Sequence, residues 1–278
     1  MDRREMNRSI FQDTERMCKT DAELSAVTKI SVANQRFIAE AEVIPTPELN
    51  IYKKANVVVS KKRTYEAAKA YKGNHVAVHN FASATNPGGG VVNGAGAQEE
   101  CLCRCSNLYF CLNTPDMWGM FYTPHRAAHD PIHNDDIIYT PDIVVFKTDT
   151  DRPELMERDD WYIVDVITCA APNLRETPSN SSGDGTRAVT PSNRELQVIH
   201  EKRLRRILDS AVINHADTVI LGAFGCGAFC NEPQVVATAA ANVVRDYMYA
   251  FKNIEFAVYC RPSDDSNYRV FNSVLSSL

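Results

Sequence analysis

Two adjacent carboxylic acids, Glu99 and Glu100, follow a run of three glycines, Gly88–Gly90, after a seven-residue spacer and Gln98. A carboxyl group can lend a proton to a leaving oxygen and then take one from water, the acid/base work that glycoside hydrolysis needs. Neighbouring helical residues point about 100° apart. The two glutamates are therefore not expected to flank one bond from opposite sides as a standard glycosidase pair does. One is expected to reach the scissile oxygen and the other to hold the substrate or its partner. A plainer reading is that acidic residues favour the first turn of any helix, for dipole reasons worth under about 1 kcal/mol.

The glycines give the carboxylates a context. Asn80–Phe81–Ala82–Ser83–Ala84–Thr85–Asn86–Pro87–Gly88–Gly89–Gly90 follows an apolar run at His75–Val78, and a helical pattern starts near Gln98 and runs through Leu102, Cys105, Leu108 and Tyr109. The order is strand, glycine loop, helix. A loop without β-carbons lets backbone approach a ligand closely and turn N–H groups toward an anion, and the helix start adds free N–H groups. The same device recurs at Gly222–Ala223–Phe224–Gly225–Cys226–Gly227–Ala228–Phe229–Cys230–Asn231, after the run Thr218–Leu221. It lacks the Gly-Lys-Ser/Thr of a P-loop and the glycine spacing of a dinucleotide fingerprint. Two such loops would embrace a diphosphate, and Phe229 would either stack on a sugar or base or pack in the core.

Other clusters compete less well. His125, His129 and His133 are spaced four apart, with Asp130, Asp135 and Asp136 nearby, but Pro124 and Pro131 oppose a regular helix through all three. Cys101, Cys103 and Cys105 alternate in a way that suits no common zinc pattern on a helix. No metal or cofactor is expected.

The elements that must position these residues alternate. Apolar β-branched runs at Asn56–Val59, His75–Val78, Ile143–Phe146, Tyr162–Ile167, Thr218–Leu221 and Phe256–Tyr259 suit a sheet buried on both faces. Helical stripes cover Thr64–Ala70, Arg194–Ile213 and Glu232–Ala250, the last with Asn231 as its candidate N-cap. The pattern predicts a three-layer α/β/α fold around a central sheet, preceded by an N-terminal helical extension. Residues 1–48 are assigned to that extension, helical to about residue 43 and packed on the core, and residues 49–278 to the catalytic domain. The long polar segment Leu174–Ser192 is either a surface loop or a lid.

With 278 residues the chain can bury a sizeable core. Its net charge of −5 provides no general pull toward nucleic acid, so an anionic ligand must be held by a local site. No apolar run approaches membrane-span length and no secretory leader is visible. The nine scattered cysteines read as reduced thiols in a cytoplasmic protein, expected to be monomeric.

Taken together, Asn86–Pro87–Gly88–Gly89–Gly90, the seven-residue spacer and Gln98–Glu99–Glu100 resemble the signature of the poly(ADP-ribose) glycohydrolases. Tyr122–Phe146 with His125–Arg126 and Pro141–Asp142, Ala170–Asn173 and Gly222–Asn231 resemble that family's microbial branch, so that the likeness spans roughly residues 50–260. The resemblance implies a macrodomain-like core with ADP-ribose in a cleft. It implies Glu100 as acid/base at the ribose–ribose bond, Glu99 on the ribose being cleaved, Asn86 orienting that ribose, and Gly88, Gly89, Gly90 and Gln98 lining it. Gly225, Cys226, Gly227, Ala228 and Phe229 would wrap the diphosphate, with Phe229 against the distal ribose. Cys230 stands where a glycine is expected, which puts that loop's conformation in question. The resemblance further implies attack from polymer ends on ADP-ribosylated macromolecules, chiefly protein. The alternatives are an ADP-ribose reader without activity and a hydrolase of a mono-ADP-ribosyl linkage.

Overall fold

A computed structural model describes residues 2–178 and 186–278, so part of the Leu174–Ser192 segment lies outside the described residues. In chain order the elements are α1 (Arg3–Thr20), α2 (Ala22–Asn34), β1 (Arg36–Ile38), β2 (Asn56–Ser60), α3 (Thr64–Lys69), β3 (Val76–Ala82), α4 (Gln98–Cys105), α5 (Leu108–Leu112) and α6 (Pro115–Met117). A π-helical turn (Trp118–Tyr122) runs into α7 (Thr123–Ala128), followed by β4 (Ile137–Val145), β5 (Tyr162–Ala170), α8 (Asn193–Ile213), β6 (Thr218–Leu221), α9 (Pro233–Asp246), β7 (Asn253–Ala257) and α10 (Ser266–Leu275).

Seven strands form one mixed sheet in the order β1-β4-β5-β3-β6-β7-β2. From β5 to β2 neighbours run parallel, while β4 pairs antiparallel with both β5 and β1. Side chains alternate between two cores, as the pleat requires. Ala77, Val219, Leu221, Ile254 and Phe256 face the layer of α8, α9 and α10, while Val76, Val78, Val166 and Ile220 face α1, α3, α4 and α5. Burial on both faces explains why the parallel strands read as continuous apolar runs.

Three local expectations need correction. The N-terminal helices stop at Asn34, and Arg36–Ile38 then joins the sheet beside β4. A three-residue edge strand is too short to show its period in the sequence. The helix after the first glycine loop breaks at Ser106, whose extended backbone (φ −147°) bridges to Val145 before α5 resumes. Helix α9 is capped by Glu232, which accepts from Gln234 N–H, and not by Asn231.

Helix α1 packs on the same face as α4. Phe11 is 3% exposed and meets Tyr109 edge-to-face at 5.0 Å. Thr14 donates to the Arg104 carbonyl at 2.6 Å, and Asn7 donates to the Gly94 carbonyl at 3.0 Å. The buried Lys147 ammonium closes the seam on the Ile10 carbonyl, the Thr14 hydroxyl and the Asp13 carboxylate, at 2.8–2.9 Å. Phe11→Ala should therefore lower unfolding stability by about 3–5 kcal/mol, the usual cost of emptying a buried aromatic site. An unchanged urea midpoint would show that α1 is not part of the cooperative core.

Candidate active site

Strands β3 and β6 are direct neighbours, paired Val76↔Thr218 through Val78↔Ile220. Both glycine loops leave the carboxyl ends of these adjacent parallel strands, the usual place for ligands in open α/β sheets. Beyond Ile220, β3 loses β6 as a partner, and Gln98 takes over. Its Oε1 accepts from Phe81 N–H at 2.9 Å, and its Nε2 donates to the His79 carbonyl at 2.8 Å and to Thr64 Oγ1 at 3.0 Å. Sequence reasoning put Gln98 among the ligand contacts. The structure commits its carboxamide to β3 and α3, which fixes where α4 begins.

Glu99 and Glu100 occupy the first turn of α4 and are 3% and 7% exposed. Glu99 Oε2 accepts from Ser83 N–H at 2.8 Å and its Oε1 from Asn80 Nδ2 at 3.3 Å. Glu100 Oε1 accepts from Gly90 N–H at 2.9 Å, and its Oε2 is buried with no partner. Although their Cβ atoms diverge, both side chains fold back onto one loop. A β-carbon on Gly89 would lie 2.5 Å from Glu100 Oε1 and 3.2 Å from Glu99 Oε2. Gly89 also has φ +57°, and Gly88 has φ +65°, backbone that L-residues seldom adopt. The loop is glycine because carboxylates occupy the space a side chain would need.

Burial, reinforced by the neighbouring Glu100, pushes the Glu99 carboxyl up to about 8, against the pull of hydrogen bonds from Ser83, Asn80 and Gly88. Asn80 and Ser83 were not singled out from the sequence as supports. The available signal was a polar His79–Asn80 pair inside an otherwise apolar strand. Arg104 is another missed support: 3% exposed, it donates to the Ala95 carbonyl at 2.5 Å and to Cys101 Sγ at 3.2 Å, tying the spacer to α4.

The second loop is held from below by one side chain. Asn231 Nδ2 donates to the carbonyls of Pro172, Gly225 and Phe229 at 2.7–3.2 Å, while its Oδ1 pairs with His200 Nε2 at 2.8 Å. This duty explains why Asn231 does not cap α9. Gly225 (φ +77°) has no room for a β-carbon, which would meet Asn231 Nδ2 at 2.7 Å. Gly227 and Ala228 are exposed, and among the described residues the N–H groups of Gly227, Ala228 and Phe229 donate to no protein acceptor. Such free N–H groups suit an anion. Phe229 is half-buried, with the Arg175 guanidinium 5.8 Å from its ring centroid. Cys226 is half-buried, and burial raises its thiol well above the ordinary range. Cys230 has φ +58°; a left-handed residue is what an expected glycine would supply, so the loop keeps its course at a cost of about 1–2 kcal/mol.

The histidine cluster is arranged for structure. His125 engages the Phe121 carbonyl and Asn134 Oδ1, each at 2.8 Å, and α7 ends at Ala128 with His129 left-handed (φ 49°). Among the described residues, no group of three or more His, Cys, Asp or Glu is placed to hold a metal.

Two outcomes follow from this geometry. Gly89→Ala should keep the fold but abolish ligand binding and turnover, because its methyl group would displace the Glu100 carboxylate; near-normal affinity for ADP-ribose by calorimetry would refute that crowding. The second concerns pH. The folded chain holds a proton on Glu99 that the unfolded chain, with an ordinary carboxyl at 4.5, has released, so stability is lost as pH rises toward about 8. The buried histidines His79, His133 and His200, whose pKa values are depressed, pull the other way while the unfolded chain still binds their protons, but equally in wild type and variant. The melting temperature of wild type relative to Glu99→Gln should therefore fall as pH rises from 6.5 toward about 8.

Comparisons with known proteins agree with this architecture. The family model described as the catalytic domain of microbial-type PARG matches residues 9–148, half of the chain. Comparison with curated proteins returned no match. Among solved structures, the poly(ADP-ribose) glycohydrolase of Thermomonospora curvata bound to the inhibitor ADP-HPD is 28% identical with a TM-score of 0.79, covering 96% of this chain and 98% of that one. The same enzyme in another structure gives 27% and 0.82 with the same coverage. The Deinococcus radiodurans enzyme in complex with ADP-ribose is 27% identical with a TM-score of 0.75, over 90% of this chain and 97% of that one. Paired buried carboxyls on a triglycine loop, a second glycine loop beside it and this family match place the chain in the microbial-type poly(ADP-ribose) glycohydrolase family.

Proposed function

We propose that this protein hydrolyses the ribose–ribose O-glycosidic bond of poly(ADP-ribose), working from polymer ends and releasing ADP-ribose, with Glu100 as proton donor and acceptor. The observation that carries the assignment is the uncommitted Oε2 of a buried Glu100. Both Glu99 oxygens already accept hydrogen bonds from the protein, and Glu100 Oε1 is bound to Gly90 N–H, so Oε2 is the one oxygen of the pair left without a protein partner.

In this reading the diphosphate lies on the free N–H groups of Gly227–Phe229, and the ribose to be cleaved sits over Gly88–Gly90 beside Asn86. Glu100 gives its proton to the leaving ribose oxygen as the bond to the anomeric carbon breaks. Positive charge on the sugar develops as an oxocarbenium-like state. Water then adds to the anomeric carbon, and the Glu100 carboxylate takes its proton, restoring the acid. Both carboxyls crowd the same point of the glycine loop, Gly89, so this reading assigns neither as a nucleophile from the opposite face of the ring. Glu99, holding its own proton near neutral pH, adds little repulsion to the carboxylate that forms on Glu100.

Purified protein incubated with poly(ADP-ribose) should release chiefly free ADP-ribose at early times. Glu100→Gln should retain ADP-ribose affinity and lose turnover by at least about 100-fold, the scale of removing an acid/base group. Intact polymer alongside tight ADP-ribose binding would identify a reader, release from mono-ADP-ribosylated protein alone would indicate another linkage, and early oligomers would refute attack from ends.

A further inference from the structure

The side chain of Asn86, at the start of the first glycine loop, is gripped from outside the loop. Arg126, on α7, donates through Nη2 to Asn86 Oδ1 and through Nε to the Thr85 carbonyl at 2.6 Å. Its guanidinium stacks over Trp118, 4.6 Å from the ring centroid. Trp118 Nε1 donates to Asn113 Oδ1 at 2.8 Å, and Asn113 Nδ2 donates to the Tyr109 hydroxyl at 3.2 Å. Tyr109 then closes back on the loop, leaving no room for a β-carbon on Gly88, which would lie 2.8 Å from its Cδ2. The contacts make a closed ring: from Asn86 through Arg126, Trp118, Asn113 and Tyr109 to Gly88, two residues after the start.

This ring has a chemical consequence. A carboxamide presents an acceptor at one end and donors at the other, the ends being similar in size, so a flip exchanges what a sugar hydroxyl meets. A guanidinium can only donate. Its bond therefore fixes Oδ1 on the Arg126 side and turns Nδ2 toward Thr85 Oγ1, at 3.2 Å. The fork geometry and the indole behind it restrict the guanidinium more than a lysine would be restricted. Trp118 also opens the π-helical turn Trp118–Tyr122, a departure from regular helix that recurs at functional sites.

We propose that Arg126, backed by Trp118, is a positioning residue that sets the orientation of the Asn86 carboxamide and through it the pose of the ribose being cleaved. The proposal rests on the reading above in which Asn86 contacts that ribose. Arg126 itself touches no reacting atom.

A mutant cycle tests it with Asn86→Ala, Arg126→Ala, the double variant and Arg126→Lys. The readouts are kcat and KM on poly(ADP-ribose), calorimetric affinity for ADP-ribose, and melting temperature. Arg126→Ala should lower kcat about tenfold or more, as misplacing a bound group does, with KM and melting temperature little changed. The double variant should be no slower than Asn86→Ala alone, because Arg126 then has nothing to orient. Lysine should restore only part of the loss. Multiplying losses in the cycle would overturn the proposal. So would a salt-dependent rise in KM alone, which marks direct phosphate contact, or a loss that tracks melting temperature. If the wild type leaves polymer intact, the glycohydrolase reading falls, while the same cycle read in ADP-ribose affinity still decides whether Arg126 acts through Asn86.

Discussion

Burying two carboxyl groups side by side carries a large desolvation cost, and the surroundings of Glu99 and Glu100 are arranged to meet it. Backbone N–H groups of Ser83 and Gly90 reach the carboxylate oxygens, Asn80 adds a side-chain donor, and Glu99 retains a proton near neutral pH. Such close approach of main chain to carboxylate needs a loop without β-carbons, which is what Gly88–Gly90 provide. The remainder of the fold holds this loop and the first turn of α4 against each other.

Several independent clamps share that task. Gln98 replaces the missing strand partner at the end of β3 and so sets the axial position of α4. Arg104 binds the spacer to the helix it precedes. Helix α1, far away in sequence, grips both the spacer, through Asn7, and the end of α4, through Thr14. The N-terminal segment is thus part of the site's scaffold, and its strand β1 extends the sheet itself. The second glycine loop has a separate support, the single carboxamide of Asn231 braced by His200, so the two loops are built by different side chains on a shared pair of strands.

The two loops also differ in what they leave open. The N–H groups of Gly89 and Gly90 already have protein acceptors, Asn86 O and Glu100 Oε1. Those of Gly227, Ala228 and Phe229 have none among the described residues. An anion is therefore better matched to the second loop, and a neutral sugar to the first. That division of labour follows from hydrogen-bond capacity alone, with no recourse to net charge, which is −5 and would repel an anion at long range.

The sequence by itself determined the alternating α/β order, the two strand–loop–helix units and the carboxyl pair, because each is written in local pattern: apolar runs, glycine clusters and adjacent acids. It did not reveal that β3 and β6 are neighbours, since nothing local in 76–82 or 218–221 encodes pairing across more than a hundred residues. Nor did it reveal that adjacent glutamates converge, because helix geometry fixes only their Cβ directions, and the buried loop decides how the longer side chains bend. The hold of Gln98 on β3 and of Asn231 on the second loop went unseen for the same reason: a carboxamide's partners lie wherever the fold brings unpaired backbone groups, at the end of a strand or beneath a loop. Arg126, Asn80 and Arg104 were likewise legible only as polar residues until tertiary structure supplied the acceptors within their reach.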